Sequence, residues 1–128
     1  MFYQQLYEEL GKLFYTIAAV DGKVAQTEKK TLQDLIESTW KPLEGSTDKY
    51  GTDQANLIGF AFDYEDTEGI TEDGFESFER FYFENKSRIT PDIVNNIIQT
   101  AKAIASASRA RNKSENEIIS KVVALFEN

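Results

Sequence analysis

Apolar side chains recur at intervals of three and four residues along nearly the whole chain, and this spacing constrains the fold more than any other feature. Such a period places the apolar residues on one face of an α-helix. No segment sustains the two-residue alternation that is typical of a half-buried β-strand, and only two prolines interrupt the pattern. The sequence therefore predicts an all-α protein whose helices each bury one face against a shared core.

Start and stop signals divide the chain into about six helices. The first covers residues 2–20 and ends at Asp21-Gly22, because glycine favours the conformation that closes a helix. The second begins at Thr27 and is stopped by Pro42, since proline cannot continue a helix. The predicted N-caps of the other four helices are Thr52, Thr71, Thr90 and Ser114. Short connections then predict a compact bundle in which residues 1–128 form a single domain.

The apolar stripes also predict the core. In the second, third and fourth helices the stripes are Leu32, Leu35, Ile36 and Trp40, then Leu57, Phe60, Ala61 and Tyr64, then Phe75, Phe78, Phe81 and Tyr82. In the last two helices they are Ile93, Ile97, Ala101, Ile104 and Ala105, then Ile118, Ile119, Val122, Val123 and Phe126. We expect truncation of such a residue, for example Leu35→Ala, to cost about 2–5 kcal/mol of stability.

The composition excludes several kinds of chemistry. The chain contains no Cys and no His, so it lacks the commonest general base, the thiolate nucleophile and the commonest transition-metal ligands. Its net charge of −8 disfavours nucleic-acid binding, because phosphate backbones are repelled. No apolar run approaches the roughly 20 residues of a membrane span, and the first residues lack the features of a signal peptide. These properties predict a non-enzymatic, cytoplasmic binding domain without membrane insertion.

Clustered carboxylates suggest one kind of binding site. Residues 63–79 contain eight acidic residues and no basic residue, and such density is tolerated best beside a cation or a basic partner. Carboxylate oxygens suit hard ions, so Ca²⁺ or Mg²⁺ is favoured over Zn²⁺ as the cofactor. The predicted metal ligands are Asp21, Glu28, Asp63, Glu65 and Asp66. Helix caps and solvated charge are the competing explanation for these acids.

An aromatic patch with an acidic rim is the alternative site. The fourth predicted helix carries more aromatic residues than one face readily buries, so Phe81 and Phe83 are candidates for an exposed patch near Glu72 and Glu76. Burial of all its aromatic residues in the core is the competing interpretation. Such a surface suits a basic, apolar protein partner and needs no metal. A second copy of the chain, forming a homodimer, stays open as the partner.

Two segments of the chain share one pattern. Residues 17–32 align without gaps with residues 104–119, and each segment combines the end of a helix, a turn and the start of a capped helix. This match is compatible with a pseudo-repeat of two helical hairpins. The competing interpretation is that any two helical hairpins share such a pattern.

The stretch over residues 18–28, AAVDGKVAQTE, resembles the signature of the TerB-like domain family. That family is associated with tellurite resistance and stress responses, and its signature occurs near each end of a helical domain. The resemblance implies an all-helical fold over nearly the whole chain and a metal-binding role for Asp21 and Glu28. The second segment departs from the signature, because Ser108 and Arg109 replace the Asp-Gly pair and only Glu115 is kept.

Overall fold

Six helices account for most of the residues that the computed structural model describes, which are 2–20, 24–44, 54–68, 73–107 and 113–127. The helices are α1 (Phe2–Ala18), α2 (Gln26–Leu35, a π turn at Ile36–Trp40 and a last turn at Lys41–Glu44), α3 (Asn56–Glu68), α4 (Gly74–Glu84), α5 (Pro91–Ala107) and α6 (Lys113–Phe126). A short 3-10 turn, Lys86–Arg88, precedes α5. These ranges contain no strand, so the predicted all-α bundle of about six helices is confirmed.

Helix α1 lies at the centre of the bundle and contacts α3, α4, α5 and α6. Its apolar residues at intervals of three and four are all buried, namely Phe2, Leu6, Leu10, Leu13, Phe14 and Ile17. Its contact with α3 depends on Gly11, where an added Cβ would lie 2.5 Å from the Cβ of Ala61 and 2.5 Å from the carbonyl oxygen of Ile58. The absence of a side chain at Gly11 therefore lets the two helices approach closely.

Helix α2 continues past the proline that was expected to stop it. The chain stays helical through Pro42 to Glu44, so that prediction is wrong. A π turn precedes the proline, and the backbone N–H of Lys41 bonds to the carbonyl oxygen of Ile36, five residues back. This wider turn relieves the crowding that a proline ring causes against the preceding turn. Proline also lacks a backbone N–H, so it brings no donor that would need a partner there.

The buried face of α2 is narrower than the apolar stripe suggested. Leu32, Ile36 and Trp40 are fully buried, whereas Leu35 is only partly buried. The indole Nε1–H of Trp40 donates to Oγ1 of Thr100 in α5 at 3.1 Å, and both side chains are buried. This bond joins the end of α2 to α5. Because Leu35 is only partly buried, the prediction that it is a buried core residue is wrong.

The helix starts show which local signals are reliable. Thr90 is confirmed as the cap of α5, because its Oγ1 accepts the backbone N–H of Ile93 at 3.3 Å. Helix α4 is instead capped by Asp73, which accepts from the N–H groups of Phe75 and Glu76.

Helix α2 starts after Ala25 rather than after Thr27. Ser114 lies inside α6, which begins one residue earlier, and the predicted caps Thr52 and Thr71 lie outside the described residues.

Helix α3 faces the core with a different side from the one predicted. Its buried residues include Ile58, Phe62 and Glu65, whereas Phe60 and Tyr64 lie on the surface, so the predicted stripe is wrong. Both faces of this helix carry apolar residues, and an acid on one of them made the other appear to be the core face. The ring of Phe62 packs edge-on against Tyr15 of α1, which favours the observed orientation.

The two predicted hairpins correspond to consecutive helices, α1 with α2 and α5 with α6. Their connections at residues 21–23 and 108–112 lie outside the described residues. None of the described helices is long and apolar enough to cross a membrane.

Candidate functional site

The acidic residue Glu28 has a structural contact of its own. Its side chain is buried, and its Oε1 accepts the backbone N–H of Ala25 at 2.8 Å. This bond satisfies a free donor at the start of α2, which is the usual task of an acid at the third helical position. Its predicted partner in metal binding, Asp21, lies outside the described residues.

A second predicted ligand, Asp66, forms an ion pair between helices. Its Oδ2 lies 2.6 Å from Nζ of Lys29 in α2, and both side chains are about two-thirds buried or more. The hydrogen bond to Asp66 raises the pKa of Lys29, and the charge of the exposed Asp63 adds to the effect. Asp66 therefore joins α3 to α2, and its charge is already compensated.

The carboxylates proposed as metal ligands do not come together in the described part of the chain. No group of three His, Cys, Asp or Glu side chains is arranged there to hold a metal ion. Glu28 caps α2, Asp66 binds Lys29, Asp63 faces solvent and Glu65 is buried beside α1. The described acids thus have separate local environments.

The aromatic residues of α4 are mostly part of the core. Phe81 is buried and stacks on Phe2 of α1 with ring centroids 5.9 Å apart, so its place in the core stripe is confirmed and its exposure in a surface patch is wrong. Phe83 is 51% exposed and touches Tyr82 edge-on. Glu76 is exposed, and Glu72 lies outside the described residues. Only Phe83 of the expected aromatic pair is available on the surface.

Among the described residues, the most exposed aromatic side chains lie instead on α3. The Phe60 side chain is 65% exposed and that of Tyr64 is 62% exposed, and the two residues are one helical turn apart. They border a groove of about 360 Å³ between α1 and α3. The groove is lined by Glu8, Lys12, Leu57, Phe60, Ala61, Tyr64 and Glu65.

The sequence contained a signal for this groove. Leu57, Phe60, Ala61 and Tyr64 form a regular stripe of their own, in addition to the one through Ile58 and Phe62. A helix with apolar residues on two faces can bury only one of them against a one-sided core. The second face therefore remains accessible to a binding partner.

Glu65 lies at the floor of this groove and is the most unusual acid in the described structure. It is 5% exposed, and its Oε2 is the only buried side-chain nitrogen or oxygen of the described residues that has no hydrogen-bond partner. A buried acceptor without a donor destabilises the fold that contains it. Glu65 also lines the groove, so a ligand lying there would touch it.

Tyr15 shows the electrostatic character of the same region. Burial raises the pKa of its phenol, and the charges of Asp66 and Glu65 raise it further, while Lys29 opposes them. The ring packs against Phe62, whose helix also carries both acids. The α1–α3 contact is therefore a place where negative charge dominates and an added cation would be stabilised.

A second groove, between α1 and α4, is polar. It measures about 590 Å³ and is lined by Gln5, Glu8, Glu9, Ser77, Arg80, Phe81, Glu84 and Asn85. Across it, the hydroxyl of Ser77 donates to Oε2 of Glu9 at 2.6 Å. This bond connects the two helices and gives the groove a structural explanation.

No family model, curated protein or solved structure matches the chain. The resemblance to the TerB-like family therefore stays a prediction.

Proposed function

We propose that the protein is a non-enzymatic interaction domain whose α1–α3 groove binds a basic, amphipathic segment of a protein partner. The observation that carries this proposal is the exposed pair Phe60 and Tyr64 beside a groove with carboxylates at its rim and floor. The metal-binding role of the acids receives no support from the described carboxylates, since Glu28 and Asp66 are engaged elsewhere.

The apolar part of the groove suits an amphipathic helix or a short apolar motif. Leu57, Phe60, Ala61 and Tyr64 form one continuous strip along α3. Aromatic side chains supply much of the binding energy at protein interfaces, and contiguous apolar surface is unusual on a protein that works alone. Apolar anchors of a partner would remove the two rings from water.

The charged part of the groove selects a basic partner. Glu8 and Glu65 line it, and the chain as a whole carries a net charge of −8. The one cationic residue that lines the groove is Lys12. Its Nζ lies 3.7 Å from Oε1 of Glu9, and this carboxylate offsets the charge of Lys12. Complementary charge would speed association and favour positively charged segments over acidic ones.

A peptide titration tests the proposal. The probe is a synthetic helical peptide with leucines at positions i, i+3, i+4 and i+7 and arginines on the flanks, which is the usual pattern of a helix in a groove. We expect the variant Phe60→Ala/Tyr64→Ala to bind it at least about tenfold more weakly than wild type, because both anchors of the surface are lost.

Phe83→Ala is the matched control, because it removes an exposed aromatic ring that does not line the groove. Its affinity for the peptide should equal that of wild type, and circular dichroism should show all variants folded. Equal binding by wild type and the double variant would contradict the proposal. So would an equal loss of affinity in Phe83→Ala.

A further inference from the structure

We propose that Glu65 recognises an arginine side chain of the partner. The guanidinium of that arginine lies on the carboxylate of Glu65, and the apolar groups of the partner beside it lie against Phe60 and Tyr64. This inference rests on the proposed function, because it assigns a specific contact within the same groove. Its basis is the buried Oε2 that accepts no hydrogen bond, in a side chain that lines the groove.

A buried oxygen without a hydrogen-bond partner lowers the stability of the fold. Its desolvation is not offset by a hydrogen bond, so the unliganded fold is less stable than it would be with a neutral side chain. Gln at position 65 would keep the shape and remove the charge. A residue that lowers the stability of the free protein is typical of a binding site, where the ligand supplies the missing interaction.

Glu65 is able to reach a ligand without a change in the fold. The terminal torsion of a Glu side chain is soft, so its carboxylate can turn toward a donor in the groove at little cost. The groove beside it is open, and its wall residue Tyr64 is mostly exposed. A donor entering the groove can therefore meet the carboxylate of Glu65.

Arginine fits this site better than lysine. Its guanidinium is planar and weakly hydrated, and it presents paired N–H donors that match a carboxylate. It also stacks on aromatic rings, which Phe60 and Tyr64 supply one turn apart. A lysine ammonium would have to lose a stronger hydration shell to reach the same buried position.

The test uses three versions of the leucine peptide that differ at one flanking position, which carries arginine, lysine or its neutral isostere citrulline. We expect wild type to bind the arginine peptide about 10- to 100-fold more tightly than the citrulline peptide, the range of a charge-assisted hydrogen bond. In Glu65→Gln this preference should disappear, while the citrulline peptide still binds as it does to wild type. Unliganded Glu65→Gln should also melt at or above the wild-type temperature.

Glu8→Gln is the matched control, because it removes a carboxylate that lines the same groove but is exposed. This variant should bind the arginine and lysine peptides slightly more weakly than wild type does. It should keep the preference for the arginine peptide over the citrulline peptide. A second readout follows the phenol of Tyr15, whose pKa is raised by burial and by the charges of Asp66 and Glu65. Arginine stays charged in alkaline solution, so binding of its peptide should lower the pKa of Tyr15 in wild type and not in Glu65→Gln.

The outcomes separate the two proposals. If Glu65→Gln keeps the preference for arginine, or melts well below wild type, the role of Glu65 is overturned while the groove stands. If Phe60→Ala/Tyr64→Ala binds all three peptides as wild type does, the groove is overturned and the role of Glu65 with it.

Discussion

At the scale of single residues, Tyr15 reports on charge at the α1–α3 contact. Its raised pKa and that of Lys29 have the same consequence for stability. Both folded-state pKa values lie above the unfolded ones, so the native state keeps these protons longer. The contribution of the two groups to the free energy of unfolding is complete below their ordinary pKa values of 10.0 and 10.5. It is lost as the pH rises through their pKa values in the folded state.

Two measurements check this expectation. Absorbance titration of wild type against Tyr15→Phe should show a phenol that ionises above its ordinary range, and Asp66→Asn should lower that pKa by removing a negative neighbour. Chemical denaturation should give a free energy of unfolding that declines above pH 10.0. A Tyr15 that ionises below its ordinary value, or stability that rises in this range, would contradict the account.

The buried bond between Trp40 and Thr100 gives a second prediction at the residue scale. Thr100→Val keeps the shape of the side chain but leaves the indole N–H without an acceptor, so we expect a loss of about 1–3 kcal/mol. The same change in a Trp40→Phe background should cost less, because no donor is then left unpaired. Urea denaturation followed by circular dichroism measures both, and equal costs in the two backgrounds would show that the bond is unimportant.

At the scale of helices, substitution by alanine should affect stability differently at the glycine of α1 and at the glycine of α3. Gly11→Ala should destabilise the fold by about 1–3 kcal/mol, because the new methyl group meets backbone atoms of α3 that are fixed by helical bonds. Gly59→Ala is the matched control, since its methyl meets mainly the flexible end of Gln33. There we expect little loss, or a gain of up to about 1 kcal/mol from helix propensity. Thermal denaturation would contradict the close packing of α1 on α3 if both variants behaved alike.

The helices also show how far sequence reasoning reaches. The start of α5 was predicted correctly because Thr90 and Pro91 act within one turn of chain. The continuation of α2 through Pro42 was missed, because it depends on a π turn just before the proline, which apolar periodicity does not indicate. The face of α3 was missed because burial of Glu65 is decided by α1 and not by its own neighbours. The groove therefore could not be located from periodicity alone.

At the scale of the whole molecule, the excess of acid over base sets how the protein responds to salt. Lys and Arg number 14 against 22 Asp and Glu, and eight of the acids fall within residues 63–79. Like charges repel in the compact state, and salt screens that repulsion over about 10 Å at 0.1 M. Added NaCl should therefore raise the melting temperature. It should weaken binding of the arginine peptide at the same time, because the attraction is screened as well.

The same charge allows a test of the carboxylate metal site. Because the described carboxylates do not converge, we expect Ca²⁺ or Mg²⁺ to raise the melting temperature only as much as NaCl at equal ionic strength. A specific site would bind the folded state alone and add a stabilisation that grows with the logarithm of the ion concentration. If Ca²⁺ raises the melting temperature beyond its NaCl match and Asp21→Asn removes the difference, the acids near residue 21 hold a metal ion. The net negative charge would then serve ion binding as well as attraction of a basic partner.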